Sequence, residues 1–296
     1  MVPSMPPQSV LGWFDDNVRD LPWRRDDATA WHILISEFML QQTPVARVLQ
    51  PWREWVARWP SPADMAAADG ADVLRAWGKL GYPRRAQRLH ACARAIAADH
   101  GNIVPDDVDE LLALPGVGEY TARAVACFAY GQAVPVVDTN VRRVIARACH
   151  GLAEAGPPKR TDLDDALAVA PRNPDGSLAA TAPRFSAALM ELGALVCTAR
   201  NPRCDECPLL ATCAWVAAGK PASTSPRKPS QRYEGTDRQA RGRLLDVLRE
   251  SPGPVERARL DVAWPIDPGQ RARALDSLLV DGLIEVTDDG LFRLGG

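Results

Sequence analysis

No stretch of the 296 residues approaches the ~18 uninterrupted apolar residues that a membrane-crossing helix needs. The opening MVPSMPPQSV has neither the basic start nor the apolar stretch of a secretion signal. Both absences point to the cytoplasm, at the nucleoid, where thiols stay reduced and disulfides are rare. Charge of one sign is lacking too. Thirty-five Lys and Arg against 37 Asp and Glu leave a net −2, so any contact with a polyanion must come from local patches. Aromatics are only 6%, although nine of them are Trp. Alternating strand patterns are absent before about residue 280, which excludes a sheet-based fold for most of the chain. Cysteine is sparse, at seven, but four of the seven fall between Cys197 and Cys213.

What is there instead is helix after helix, from Trp13 to about Ala218. TAWHILISEFMLQQT is apolar on nearly every face and reads as a buried helix. VARVLQPWREWVARW, ADVLRAWGKLGY and RRAQRLHACARAIAADHG are amphipathic, the last closed by Gly101. Prolines 60, 83, 105, 115 and 135 mark the breaks. Residues 220–236 are basic and rich in Pro and Ser in their first part, the composition of an extended linker. Residues 237–296 then read as three short helices and a hairpin turning at Asp289–Gly290, a winged-helix-like module.

The four clustered cysteines follow C-x6-C-x2-C-x5-C. Zinc sites more often pair two CxxC knuckles across a longer loop. A loop as compact as this one wraps an object from several sides, which suits a [4Fe–4S] cluster, with structural zinc as the alternative. Cys92, Cys127 and Cys149 lie in helix interiors and read as core residues.

Upstream, LPGVGEYTA lies between two helices. Within Pro115–Gly118 its glycines, Gly116 and Gly118, permit a tight turn with positive φ, and their backbone N–H groups and the next helix start make an anion site. An ordinary turn between helices is the other reading. About 20 residues on, in VPVVDTNVRRV, Asp138 begins a helix, either as its cap or as a carboxylate with chemistry to do. Arg142 and Arg143 follow, placed to reach phosphate or to form a solvated face.

Taken together, these segments resemble the helix-hairpin-helix DNA glycosylases of the endonuclease III and MutY group, over about residues 10–218. The resemblance implies an all-α fold of two helical subdomains with the active site between them. One is about 25–132; the other is 1–24 plus 133–219. It implies a [4Fe–4S] cluster on Cys197, Cys204, Cys207 and Cys213, with Arg200 and Arg203 facing a phosphate backbone. It also makes Asp138 the carboxylate that stabilises an oxocarbenium-like sugar.

Two residues then choose among members of the group. Tyr120 stands where strand-cleaving members carry a lysine, and a phenol cannot form a Schiff base. SEFMLQQT is similar to the helix of MutY-type adenine glycosylases, with Ile33 and Leu40 flanking Glu37. In such an apolar wall the anion is disfavoured, and a protonated acid is what a departing adenine needs. The likeness further implies Gln41, Gln42 and Tyr82 as groups that enter the duplex. Arg19, Trp23, Arg24 and Leu40 would form an adenine pocket around LPWRR, and Asn140 would support Asp138. It implies a monomer acting on double-stranded DNA with A·G or A·8-oxo-G mispairs. Pro83 and DTN depart from the usual GLGYY and DGN. Residues 237–296 do not resemble the 8-oxo-guanine-reading domain that such proteins usually carry. The alternatives are a thymine or uracil mismatch glycosylase and a non-catalytic iron–sulfur DNA-binding protein.

Overall fold

The computed structural model describes residues 5–223 and 233–296, so most of the expected linker lies outside the described residues. The chain is helical up to the C-terminal hairpin. Its helices are α1 Pro7–Asn17, α2 Ala30–Leu40, α3 Val45–Arg58, α4 Pro62–Ala66, α5 Gly70–Trp77, α6 Arg84–Asp99, α7 Val108–Ala113 and α8 Glu119–Tyr130. They continue as α9 Thr139–Ala148, α10 Thr161–Val169, α11 Ala182–Leu195, α12 Ala214–Ala217, α13 Asp237–Glu250, α14 Arg257–Ala263 and α15 Pro268–Val280, before β1 Ile284–Val286 and β2 Phe292–Leu294.

Contacts group these elements into two compact units. The first holds residues 1–33, 106–112 and 117–228. Its core is α9 and α11 laid together, with α1 against α11. Phe14, Val141, Val144, Ile145, Phe185, Leu189 and Leu192 are each at most 4% exposed there. α9 can supply this face because its apolar residues recur at 141, 144, 145 and 148 while arginines occupy 142, 143 and 147.

The second unit holds residues 34–105, 113–116 and 229–296. Tryptophan organises its helical part: Trp55 packs edge-on against Trp59 at 4.9 Å and Trp77 at 5.3 Å between centroids. The C-terminal residues join this unit and do not stand apart. In them α13 packs on α14 and α15, and β1 pairs antiparallel with β2, Ile284 opposite Leu294. Gly290, at φ +77, makes the hairpin turn. Gln87 Nε2 in α6 donates to the Gly282 carbonyl at 2.7 Å, and Arg249 Nε reaches the Leu74 carbonyl at 3.3 Å. Gly70 lies so close to the chain end that a Cβ there would stand 2.6 Å from the Gly296 carbonyl carbon.

Candidate active site and cysteine loop

Asp138 is the N-cap of α9. Its Oδ1 accepts the N–H groups of Asn140 at 2.8 Å and Val141 at 2.7 Å, and its Oδ2 accepts from Asn140 Nδ2 at 2.7 Å. Burial pushes the carboxyl above the ordinary carboxylate range, against the pull of those donors and of Arg143. The cap fixes both oxygens, and Asn140 is fixed in turn, because its Oδ1 accepts from Arg143 Nη2 at 2.8 Å. Arg143 also donates to the carbonyls of Gly193 at 2.7 Å and Cys197 at 2.6 Å. Gly193 allows this approach: a Cβ there would lie 2.6 Å from that of Asn140. A continuous set of hydrogen bonds thus runs from Asp138 through Asn140 and Arg143 to the first cysteine of the loop.

The two arginines read from the sequence as phosphate-facing or solvated are committed internally. Arg142 pairs with Asp162 at 2.7 Å and donates to the Gly156 and Pro157 carbonyls. In the cysteine loop, Arg203 donates to the Leu195 carbonyl and pairs with Glu206, while Arg200 is exposed.

Cys197, Cys204, Cys207 and Cys213 line one pocket together with Val196 and Trp215. Arg147, 4% exposed, spans its wall. One Nη1 donates to Cys197 Sγ at 3.4 Å and to the Thr198 carbonyl at 2.7 Å, and the guanidinium lies 4.7 Å over the Trp215 ring. Burial raises Cys197, with Arg147 pulling the other way, and pushes Cys207 up to about 11. Among the described residues, no three His, Cys, Asp or Glu side chains converge on a point suited to a single metal ion. Four thiols around a shared desolvated space, with a cation at one edge, fit an anionic polynuclear cluster. Cys92, Cys127 and Cys149 are buried elsewhere, and burial pushes them up to about 12, 12 and 11.

Tyr120, in α8, packs against a small cluster of Ala124, Cys127 and Val136. Trp23 is buried. Arg19 and Arg24 both bind Glu191, at 2.7 and 3.0 Å, and that glutamate is fully buried in α11. Burial alone would raise the Glu191 carboxyl, but the two guanidiniums overrule it and hold it at about 2. Arg24 Nη1 remains a buried donor with no hydrogen-bond partner among the described residues. Glu191 was not found by sequence reasoning; a lone carboxylate inside the apolar run of α11 was the available signal.

In the hairpin, Gly116 has φ +78 and a Cβ there would meet the Arg88 Cβ at 2.6 Å, so both its freedom and its size are used. Gly118 does not share that conformation. It is extended, at φ −109, and caps α8 without a side-chain hydrogen bond. Pro115, Gly116 and Gly118 are exposed and Val117 is buried.

In the second unit, Glu37 is 6% exposed on α2, while its neighbours Leu34, Ile35 and Met39 have no exposure at all. Leu40 and Gln41 are half-buried and Gln42 is exposed. Gln42 and Tyr82 both adopt left-handed backbone, at φ +55 and φ +49, and Tyr82 is 47% exposed. One buried side chain joins the two turns. Arg85 Nη1 donates to the Phe38, Met39 and Gln41 carbonyls at 2.9, 2.9 and 2.6 Å. Its Nη2 donates to Thr43 Oγ1 at 2.9 Å and to the Gly81 carbonyl at 3.0 Å. Burial lowers Arg85 only to about 10, so it stays charged. The guanidinium lies 5.0 Å over Trp77 and 5.5 Å over Tyr82. Arg85 too escaped the sequence reading, because its acceptors are carbonyls.

Residues 35–162 match the model of the HhH-GPD superfamily base excision DNA repair proteins, and residues 197–213 match the iron–sulfur binding domain of endonuclease III. The chain is 63% identical to the adenine DNA glycosylase of Mycolicibacterium smegmatis, over 99% of this chain and 97% of that one. It is 40% identical to the human adenine DNA glycosylase over 69% of this chain and 38% of that one. Among solved structures, a thermostable thymine-DNA glycosylase superposes with a TM-score of 0.64 at 27% identity, covering 72% of this chain and 95% of that one. An endonuclease III–DNA complex shares the fold at a TM-score of 0.61 and 22% identity, covering 72% and 94%.

Proposed function

The chain belongs to the adenine DNA glycosylases of base excision repair, and on that premise we propose that it removes adenine mispaired with guanine or 8-oxo-guanine and leaves the strand intact. Its partner is DNA. The observation that carries the reading is Glu37, a carboxyl only 6% exposed on α2, a helix whose other residues around it are buried and mostly apolar. Glu37 gives its proton to a ring nitrogen of the departing adenine, which is a poor leaving group until protonated. Asp138, with both oxygens held, stabilises the sugar cation that remains. Asn140 keeps that carboxylate in place. Tyr120 contributes no amine, so no Schiff base forms and no strand scission follows.

Several other features support parts of the reading. Arg24 Nη1, a buried donor with no hydrogen-bond partner among the described residues, supports the nucleobase contact assigned to Arg19, Trp23 and Arg24. Strained backbone at Gln42 and Tyr82, locked by Arg85, supports their entry into the duplex beside the extruded base. The exposed hairpin 115–118 supports a phosphate contact. Cys197, Cys204, Cys207 and Cys213 would hold a [4Fe–4S] group whose contribution is to staple the loop onto α9. Among the described residues no helix is long and apolar enough to cross a membrane. The protein works as a monomer.

Base release from A·G, A·8-oxo-G, T·G and U·G duplexes tests this. Adenine should be freed from the first two, and the strand should break only after alkali. Release of thymine or uracil in place of adenine, or a borohydride-trapped enzyme–DNA adduct with direct nicking, would overturn it.

A further inference from the structure

The C-terminal residues are fixed beside the Tyr82 turn. Asp281, at the end of α15, pairs with Arg241 of α13 at 2.6 Å and with Arg84 at 3.3 Å, and Arg84 is two residues after Tyr82. Together with the Gln87–Gly282 bond, this clamps the module onto the start of α6. The consequence shows at the first turn of α13. Thr236 caps that helix, and the exposed Arg238 projects so that its guanidinium lies 5.9 Å from the centre of the Tyr82 ring.

We propose that Arg238 is a specificity residue: its guanidinium meets the purine opposite the excised adenine, alongside the Tyr82 ring. The inference rests on the reading of Tyr82 as a residue that enters the duplex. An aromatic ring that enters the stack on that side brings the opposite base within reach of whatever stands beside the ring. What stands there is a fork of N–H donors. Guanine and 8-oxo-guanine both carry an O6 acceptor where adenine has a donor, and cytosine likewise presents a donor, its N4–H2 group. The chain therefore places a base-reading group at the mispair from a module unlike the usual reading domain.

The test is equilibrium binding of the full-length protein to duplexes with a non-cleavable adenine analogue opposite guanine, 8-oxo-guanine or cytosine. Arg238→Ala should lose about tenfold in affinity for the two guanine-type duplexes, the size of one good base contact, and almost nothing for the cytosine duplex. Arg238→Lys should recover only part of it. Arg243→Ala is the control; it lies five residues on, about 140° round α13, and should change binding to none of the three duplexes. Equal loss on all duplexes with a shallower salt dependence would mark Arg238 as a phosphate contact only, and no loss would leave it no role; either overturns the proposal. Tyr82→Ala separates the two readings. If Tyr82→Ala preserves discrimination while Arg238→Ala removes it, the reading of Tyr82 fails and the Arg238 contact stands. If Tyr82→Ala removes it and Arg238→Ala does not, the reverse holds.

Discussion

Two buried arginines hold two functional turns, and they do it differently. Arg85, in the second unit, works alone: one guanidinium satisfies carbonyls from both the Gln41–Thr43 turn and the Gly81–Tyr82 turn. Arg147, in the first unit, closes the cysteine loop by bonding a thiol and its neighbouring carbonyl, and Arg143 carries that loop on to Asn140 and Asp138. In the first arrangement every acceptor that the guanidinium binds comes from the protein itself. The second leaves four thiols facing a shared space, so its rigidity depends on what they bind. The turns proposed to press into DNA are thus held by side-chain hydrogen bonds alone, and the carboxylate proposed to lie under the sugar is tied to the cysteine loop.

The largest expected effects strip chemistry from either side of this comparison. Glu37→Gln, in the arginine-locked unit, should lower adenine release by ~10³-fold or more in single turnover, while mispair binding persists, since shape is kept and the proton is lost. Asp138→Asn, in the cofactor-tied unit, should cost at least ~100-fold through lost cation stabilisation.

Next come the arginines themselves. Arg85→Met should destabilise the fold by about 3 kcal/mol or more, since several buried carbonyls lose their donor, and should weaken mispair binding with iron content unchanged. Arg147→Met should do the opposite: iron retention falls about 10–100-fold, read by absorbance and iron analysis after dialysis. Iron loss in both variants would break the comparison.

Glu191 sets an acid limit on the first unit. Its carboxyl sits at about 2 in the fold against an ordinary 4.5, so the folded state binds its proton less readily than the unfolded chain. Its stabilisation, roughly 3 kcal/mol, is whole above pH ~4.5 and fades as pH falls to ~2. Glu191→Gln should therefore melt well below the wild type at pH 7, with the gap closing on acidification. A constant gap would contradict the assignment. The smallest effect is expected at the link. Arg143→Gln should slow single-turnover release about tenfold through Asn140 and Asp138, with duplex affinity held.

Much of this was legible in the sequence because it is local. Helical periodicity, the Asp138 cap, the turn at Gly116 and the cysteine spacing each depend on residues a few positions apart. What escaped is tertiary. Arg85 reads as one more basic residue of an amphipathic helix until the carbonyls of residues 38–41 arrive beside it. Arg142 and Arg143 read as surface until α11 and the Gly156 loop supply acceptors. Gly118 resembled Gly116 in sequence, but an N-cap needs extended backbone where the turn needs left-handed. The module's docking through Gln87 and Asp281 has no pattern at all in the linear chain.

Hydrogen–deuterium exchange before and after iron is removed by chelation tests the two modes of holding most directly. Amides of residues 139–148 and 196–213 should exchange faster once the iron is gone, and those of residues 38–43 and 80–86 should keep their protection. Parallel loss of protection in both stretches, or none in either, would contradict the account.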